Sequence, residues 1–225
     1  MPRFARFVAP GVAHHITQRG TDRMTVFHSR QDRLTYLSLL RGQSELSNLA
    51  VLAYCLMDNH IHLVVVPESP SVLAEVMQRV HGRYAQYLNA RRGRCGHLWQ
   101  NRYSSCPLGP GHLWTALRYV ELNPVRAGMV RGAREYQWSS AEAHLSGHDP
   151  FRIADMGFWW ETGGLEGWRR LLDEPATEKE AEALRRSTYS GQPFGDDAFV
   201  SAMRAMRKEH VQTQHVSGPV YSASC

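Results

Sequence analysis

Two histidines stand one residue apart in Asp58-Asn59-His60-Ile61-His62-Leu63-Val64-Val65-Val66. The stretch is apolar and β-branched, which predicts a strand. Residues two apart in a strand point to one face. His60 and His62 are therefore expected side by side, with Val64 and Val66 continuing their row and Ile61 anchoring the strand from behind. Two imidazoles so placed can hold a divalent cation, but a pair seldom completes a metal site. Further donors stand in Trp114-Thr115-Ala116-Leu117-Arg118-Tyr119-Val120-Glu121-Leu122-Asn123-Pro124. Tyr119 and Asn123 are four apart, so on a helix they share a face. A phenol and an amide oxygen can then approach one metal together.

Plainer roles compete for each of these residues. Tyr119 alone fits a half-buried helix tyrosine, and Asn123 alone fits a helix end before Pro124. Tyr84, Tyr87 and Tyr103 are rival hydroxyls. The first two lie in an apolar stripe and read as core; Tyr103 adjoins Arg102 in a predicted strand. His14 and His15 fall on opposite faces of a strand, so at most one can face a metal, and both read as structural. Cys95 and His97 offer a zinc pair for His60 and His62, though Cys-x-His is an unusual ligand spacing.

The elements that must position these groups follow from periodicity and punctuation. Residues 12–19 read as a strand ended by Gly20, and 31–48 as a helix with Leu34, Leu37, Leu40 and Leu46. Residues 50–57 form a hairpin with His60–Val66 across the Asp58-Asn59 turn. A helix is predicted from 72 to about 90, a strand over 102–108 closed by Gly109-Pro110-Gly111, and a helix over 112–122 ending before Pro124. The order β-α-β-β-α-β is ferredoxin-like: an α+β fold whose antiparallel sheet carries its helices on one face. Past Trp138 the texture changes, with Trp159, Trp160 and Trp168 in an aromatic stretch. Helices are predicted over 175–186 and 195–209, with a loop from Ser187 to Gly195 between them. A boundary is placed near Gly147–Pro150. Residues 1–147 are thus expected as the chemical domain, and 148–225 as an α-helical C-terminal extension with a disordered tail.

Composition narrows the class. The chain has 225 residues, enough for one sizeable core. It has no apolar run of membrane-spanning length and no signal-like N-terminus, so a cytoplasmic protein with no membrane partner is expected. The cysteines, Cys55, Cys95, Cys106 and Cys225, form no C-x-x-C pair and read as reduced thiols. Residues 1–130 carry 15 arginines and no lysine against 7 acids, whereas residues 131–225 carry 11 basic residues against 14 acids. The positive charge therefore gathers in the part that holds the histidine pair. Such a face attracts a phosphate backbone, and arginine adds bidentate contacts and base stacking. Arg83, Arg91, Arg92, Arg94 and Arg102 are the candidates for DNA contact, with Trp99 as a stacking surface.

The ordered set resembles a known family. His60-Ile61-His62 matches the HUH motif, in which U is a bulky apolar residue, and Tyr119 with Asn123 matches the Y-x-x-x-N/Q pattern of single-tyrosine HUH transposases. The runs Gly96-His97-Leu98-Trp99-Gln100-Asn101-Arg102-Tyr103 and Leu117–Gly128 look like the branch called REP-associated tyrosine transposases, linked to repetitive extragenic palindromes in bacterial genomes. The resemblance covers about residues 1–140, and Ser187–Val200 is similar to the tail of many such proteins. It implies a metal-dependent endonuclease and strand transferase acting on single-stranded DNA that bears a hairpin. Mg²⁺ or Mn²⁺ would be held by His60, His62 and Asn123, and Tyr119 would be the nucleophile of a 5′-phosphotyrosine intermediate. It also implies a bacterial cytoplasmic setting with nucleoid DNA as substrate, and leaves monomer and homodimer both open. A catalytically silent DNA-binding protein of the same fold, and a zinc hydrolase that activates water, are the competing classes.

Overall fold

The computed structural model describes residues 6–174 and 177–216, apart from the side chains of 165, 166 and 210–216. Strand β1 (His14–Arg19) is followed by helix α1 (Arg30–Leu46), the hairpin β2 (Ala50–Leu56) and β3 (His60–Val66), helix α2 (Val72–Arg92), strand β4 (Ser104–Pro107) and helix α3 (Pro110–Glu121). Among the described residues these strands make one sheet in the order β2-β3-β1-β4, every neighbour antiparallel. That is the predicted ferredoxin-like topology.

Local chemistry sets the element ends. Ser29 caps α1 by accepting from the Asp32 N–H, and the Asp32 carboxylate accepts in return from the His28 N–H at 2.9 Å. Gly93 ends α2 in the left-handed conformation. The β2–β3 turn is held from outside: the Asp58 carbonyl accepts from the Val26 and Phe27 N–H groups at 2.8 and 3.0 Å. Gly20 donates to the Asn59 carbonyl at 2.9 Å beside the same turn. A Cβ at Gly20 would stand 2.4 Å from the Met24 carbonyl oxygen and 2.7 Å from Val26 Cγ1, so no side chain fits there.

Helices cover both faces of the sheet, a correction to the expectation of one. Helix α3 rests on β2 and β3, on the side of His62. Ile61, Leu63 and Val65 point to the other face and are equally buried. There α1 and α2 pack on each other, joined through Tyr36, Tyr84 and Phe27. Both faces are lost to water, so the near-continuous apolar run of β3 is explained by two-sided burial.

Beyond α3 the chain makes α4 (Asn123–Arg126), α5 (Ala141–Ser146), α6 (Met156–Glu161), α7 (Gly164–Asp173), α8 (Glu178–Ser190) and α9 (Asp197–Val216). Trp159 and Trp168 are fully buried and meet Trp114 of α3. The Trp159 indole N–H donates to the Leu52 carbonyl at 3.1 Å, so the aromatic stretch closes over the tyrosine helix and β2. Helix α8 packs on β4 and β1. After it, Phe194 pairs with the edge of β4, donating to the Pro107 carbonyl at 2.9 Å and accepting from Gly109 at 2.8 Å, which covers that exposed strand.

Two boundaries differ from expectation. Ser187–Ser190 is helix, not loop: the Thr188 and Ser190 hydroxyls return to the carbonyls of Leu184 and Arg186 at 2.8 Å each, and Gly191 then provides the left-handed cap. Pro110 is the first residue of α3 rather than part of a closing turn, because its missing N–H is no loss there. The expected disordered tail overlaps α9 as far as Val216, and residues 217–225 lie outside the described ones.

Candidate active site

The strand pairing decides which histidines meet. His62 lies opposite Thr17 on β1, two positions along from the His15–Val64 pair, so His15 and His62 share a face. Their rings are nearly coplanar, 9° apart, and His15 Nε2 stands 2.9 Å from His62 Nδ1. The His60 ring is 4.9 Å from the His62 ring, centre to centre. His60 Nδ1 donates to the Asn59 amide oxygen at 2.6 Å; that oxygen is the acceptor because the Asn59 amide nitrogen donates to the Arg23 carbonyl. Neither histidine's Nε2 makes a hydrogen bond among the described residues. Occupied Nδ1 and open Nε2 is the usual state of a metal-ligating imidazole.

Burial keeps these rings neutral. His60 is pushed down to about 4, mainly by burial and then by the charges of Arg19 and Arg126. His62 is lowered well below the ordinary histidine range by burial, with His60, His15, Arg126 and Arg19 adding to it. His15 is pushed down to about 3 by burial and Arg126. His14 and His81, away from the pair, are lowered by burial to about 4 and about 3. A folded-state proton affinity below the unfolded one means that stability is complete above about pH 6.5 and is lost as pH falls towards the folded values. By pH 5, His14, His15 and His81 should each have lost up to about 2 kcal/mol. Urea unfolding of metal-free protein should therefore show a midpoint that falls steadily from pH 7 to pH 5, and a flat midpoint would contradict the burial of these rings.

Tyr119 arrives from α3 in the same chain. Its ring centre is 5.4 Å from that of His62 and 5.6 Å from that of His15, edge to face with both. The Arg126 guanidinium lies over its outer face, 4.0 Å from the ring centre. Arg185 of α8 pairs with Glu178 and lies near the Tyr119 phenol, and both neighbours strengthen the hold of the guanidinium on its proton. The ring itself is buried, 6% exposed, and borders a cavity of about 210 Å³ lined by Trp114, Arg118, Arg126 and Glu180.

Asn123 differs from the simple picture of one helix face. Helix α3 ends at Glu121 and Asn123 opens α4, because Pro124 starts a new turn. The Asn123 amide nitrogen caps α3 by donating to the Tyr119 carbonyl at 3.1 Å, while its oxygen accepts from Arg126 at 2.7 Å. One lone pair of that oxygen remains. The other Arg126 terminal nitrogen, Nη1, is buried with no hydrogen-bond partner among the described residues. Two open imidazole nitrogens and one amide lone pair fit a hard divalent ion, and the orphaned guanidinium nitrogen beside them fits an anionic oxygen.

The arginines divide. Arg83, Arg92 and Arg94 are exposed on α2 and the loop after it, and Arg102 is exposed before β4. Arg91 is a tether instead: it bonds Asp32 at 2.8 Å and Tyr87 at 2.9 Å, tying α2 to α1. Trp99 is half-buried against His81, Tyr84 and Tyr36, and its indole N–H donates to the His81 carbonyl at 3.1 Å. Among rival hydroxyls, Tyr84 is buried and donates to the Val26 carbonyl at 2.6 Å, Tyr87 donates to Asp32, and Tyr103 is buried under Arg6. Cys95 and His97 are exposed, and among the described residues no group of three or more His, Cys, Asp or Glu side chains is arranged to hold a metal. A cation here would depend on imidazoles and an amide.

Sequence reasoning missed His15, Arg126 and Arg185. Arg126 left a usable signal, being three residues after Asn123. His15 reads as structural in the sequence, because strand alternation allows one of His14 and His15 to face the site but only the register says which. Arg185 left no signal, since the docking of α8 is set by contacts far along the chain.

Comparison with known proteins bears on the fold and the family. A solved structure described as that of the REP associates tyrosine transposase bound to a REP hairpin aligns at 16% identity over 68% of this chain and 92% of that one, with a TM-score of 0.54, which shows a shared fold. A second solved chain, from Deinococcus radiodurans R1, aligns at 18% identity over 54% of this chain and 96% of that one with a TM-score of 0.37, too low to support an argument. No curated protein is matched. The family model of IS200-like transposases matches residues 9–123, which span both strands of the histidine site, Tyr119 and Asn123. This chain belongs to the IS200-like transposase family.

Proposed function

We propose that the chain is a REP-associated tyrosine transposase that cuts and rejoins single-stranded DNA at hairpin elements through a 5′-phosphotyrosine at Tyr119. The observation that carries this reading is the Tyr119 ring lying 5.4 Å from that of His62 within one chain. The family, and the hairpin DNA of the solved structure of like fold, favour the same substrate class.

The Tyr119 oxygen attacks phosphorus in line and forms the Tyr–O–P bond while the P–O3′ bond breaks. The phenolic proton leaves, and the departing 3′ oxygen takes up a proton to become a free hydroxyl. No water is consumed, so the same 3′ hydroxyl, or another, can reverse the step and join strands. Mg²⁺ or Mn²⁺, held by His60 Nε2, His62 Nε2 and the Asn123 oxygen, would supply Lewis-acid polarisation of a phosphate oxygen. Arg126 offers its unpartnered nitrogen to that phosphate, and Arg185 sets a positive charge at the phenol. Exposed Arg83, Arg92, Arg94 and Arg102 would hold the backbone on either side, and the half-buried Trp99 would offer a base whatever part of its ring stays open to solvent.

A labelled single-stranded hairpin oligonucleotide incubated with Mg²⁺ should yield a protein–DNA adduct that survives denaturing electrophoresis and is lost in chelator. Tight binding with no adduct would instead favour a catalytically silent DNA-binding protein. Cleavage that leaves no protein attached would favour a zinc hydrolase. In the same assay Arg126→Ala should slow adduct formation about 10- to 100-fold, the value of one or two charge-assisted hydrogen bonds. An unchanged rate would remove Arg126 from the phosphate site.

A further inference from the structure

We infer that His15 and Thr188 are positioning residues that hold the proton of His62 on Nδ1, so that its Nε2 lone pair is presented to the site. The argument starts at the far end of the chain of contacts. The Thr188 hydroxyl on α8 donates to the Leu184 carbonyl at 2.8 Å. A carbonyl oxygen cannot donate, so the hydroxyl proton is committed there and the Thr188 oxygen is left as an acceptor. His15 Nδ1 stands 2.7 Å from that oxygen and must be the donor. In a neutral imidazole the second nitrogen then accepts. His15 Nε2 stands 2.9 Å from His62 Nδ1, so His62 supplies the proton between them. The Cys106 thiol, 3.3 Å from the Thr188 oxygen, fits the remaining lone pair as a second donor.

The reverse direction is the rival. There the Thr188 hydroxyl would donate to His15 Nδ1, His15 to His62 Nδ1, and His62 would carry its proton on Nε2. That arrangement sets the Thr188 oxygen 2.8 Å from the Leu184 carbonyl oxygen with no proton between them. All the side chains concerned are buried, so no solvent relieves such a contact. The relay also gives α8 a role at the site: an element outside the segment matched by the family model fixes the electronic state of a residue inside it.

The benefit of an open Nε2 rests on the cation reading proposed above, but the tautomer does not and can be measured alone. Long-range ¹H–¹⁵N correlation spectra of metal-free, histidine-labelled protein should show His62 protonated on Nδ1. Thr188→Val keeps the shape and removes the hydroxyl. It should shift at least about a third of His62 to the Nε2-protonated form and weaken Mn²⁺ binding about 10-fold, the lower end for loss of an outer hydrogen-bond partner. Thr188→Ser should restore both. A wild-type His62 protonated on Nε2, or a His62 spectrum unmoved by Thr188→Val, would overturn the relay. Wild-type protein that shows the expected tautomer yet binds no Mn²⁺ at His60 and His62 supports the relay and overturns only the cation reading.

Discussion

Tyr119→Phe should abolish the covalent adduct with hairpin DNA, a loss of at least ~10⁴-fold, while leaving DNA affinity within about twofold of wild type. Removal of a nucleophile takes away the bond that must form, and such losses are the largest seen in enzymes that work through a covalent intermediate. The rest of the site should survive. A phenylalanine ring keeps the edge-to-face contacts with His62 and His15 and still receives Arg126 on its outer face. Only the phenol's interaction with the nearby Arg185 is lost, and Arg185 retains Glu178. The informative control is Tyr189, which is 56% exposed on α8 and takes a hydrogen bond from Arg19 at 3.3 Å. Arg19 acts on His60 electrostatically, so Tyr189 is the freest second phenol near the pair. Tyr189→Phe should form adduct normally. Mass spectrometry that finds DNA on Tyr189, or an adduct persisting in Tyr119→Phe, would refute the assignment.

Glu121→Ala should destabilise the folded protein by about 3–5 kcal/mol, read from urea unfolding at neutral pH. Glu121 lies between Tyr119 and Asn123 in sequence, yet it faces away from the chemistry and is wholly buried. Its carboxylate gathers three donors from two segments: the Ser140 hydroxyl at 2.6 Å and His144 Nδ1 from α5 and its cap, and the Trp168 indole N–H at 2.7 Å from α7. Alanine leaves the buried Trp168 and His144 donors without this acceptor, and Ser140 with only the longer contact to the Tyr54 carbonyl at 3.4 Å, which costs more than the pair was worth. Trp168 belongs to α7, so the same change should loosen the aromatic extension where it closes over α3. Glu121→Gln keeps one acceptor oxygen and should lose less. A loss below about 1 kcal/mol for Glu121→Ala would mean that the cluster is dispensable and that α7 is held by ring packing alone.

Both variants concern one helix, and they show what could and could not be read from its letters. Tyr119 and Asn123 stand out because phenol and amide at a spacing of four have an obvious joint use. Glu121 does not, because a glutamate on a helix is most often solvated, and only the arrival of Ser140, His144 and Trp168 gives it a role. Arg91 makes the converse point. It sits in a basic run that looks made for phosphate, but Asp32 across α1 claims it. Trp99 likewise has the chemistry of a stacking platform, while His81 and Tyr36 take most of its surface.

The sequence by itself determined the sheet's strands and their order of appearance, the side-by-side aim of His60 and His62, and the presence of a phenol four residues before an amide. These are short-range consequences of the period of two in a strand and 3.6 in a helix, and no distant contact can change them. Tertiary structure decided what stands around them. The β1–β3 register, not spacing, placed His15 against His62. The docking of α8 brought Thr188 and Arg185 to the site from more than sixty residues beyond Tyr119. Burial on both faces of the sheet, rather than any local motif, left the imidazoles neutral. Register, docking and burial depend on which surfaces fit together once the whole chain has collapsed, and that fit has no period to be read in the letters.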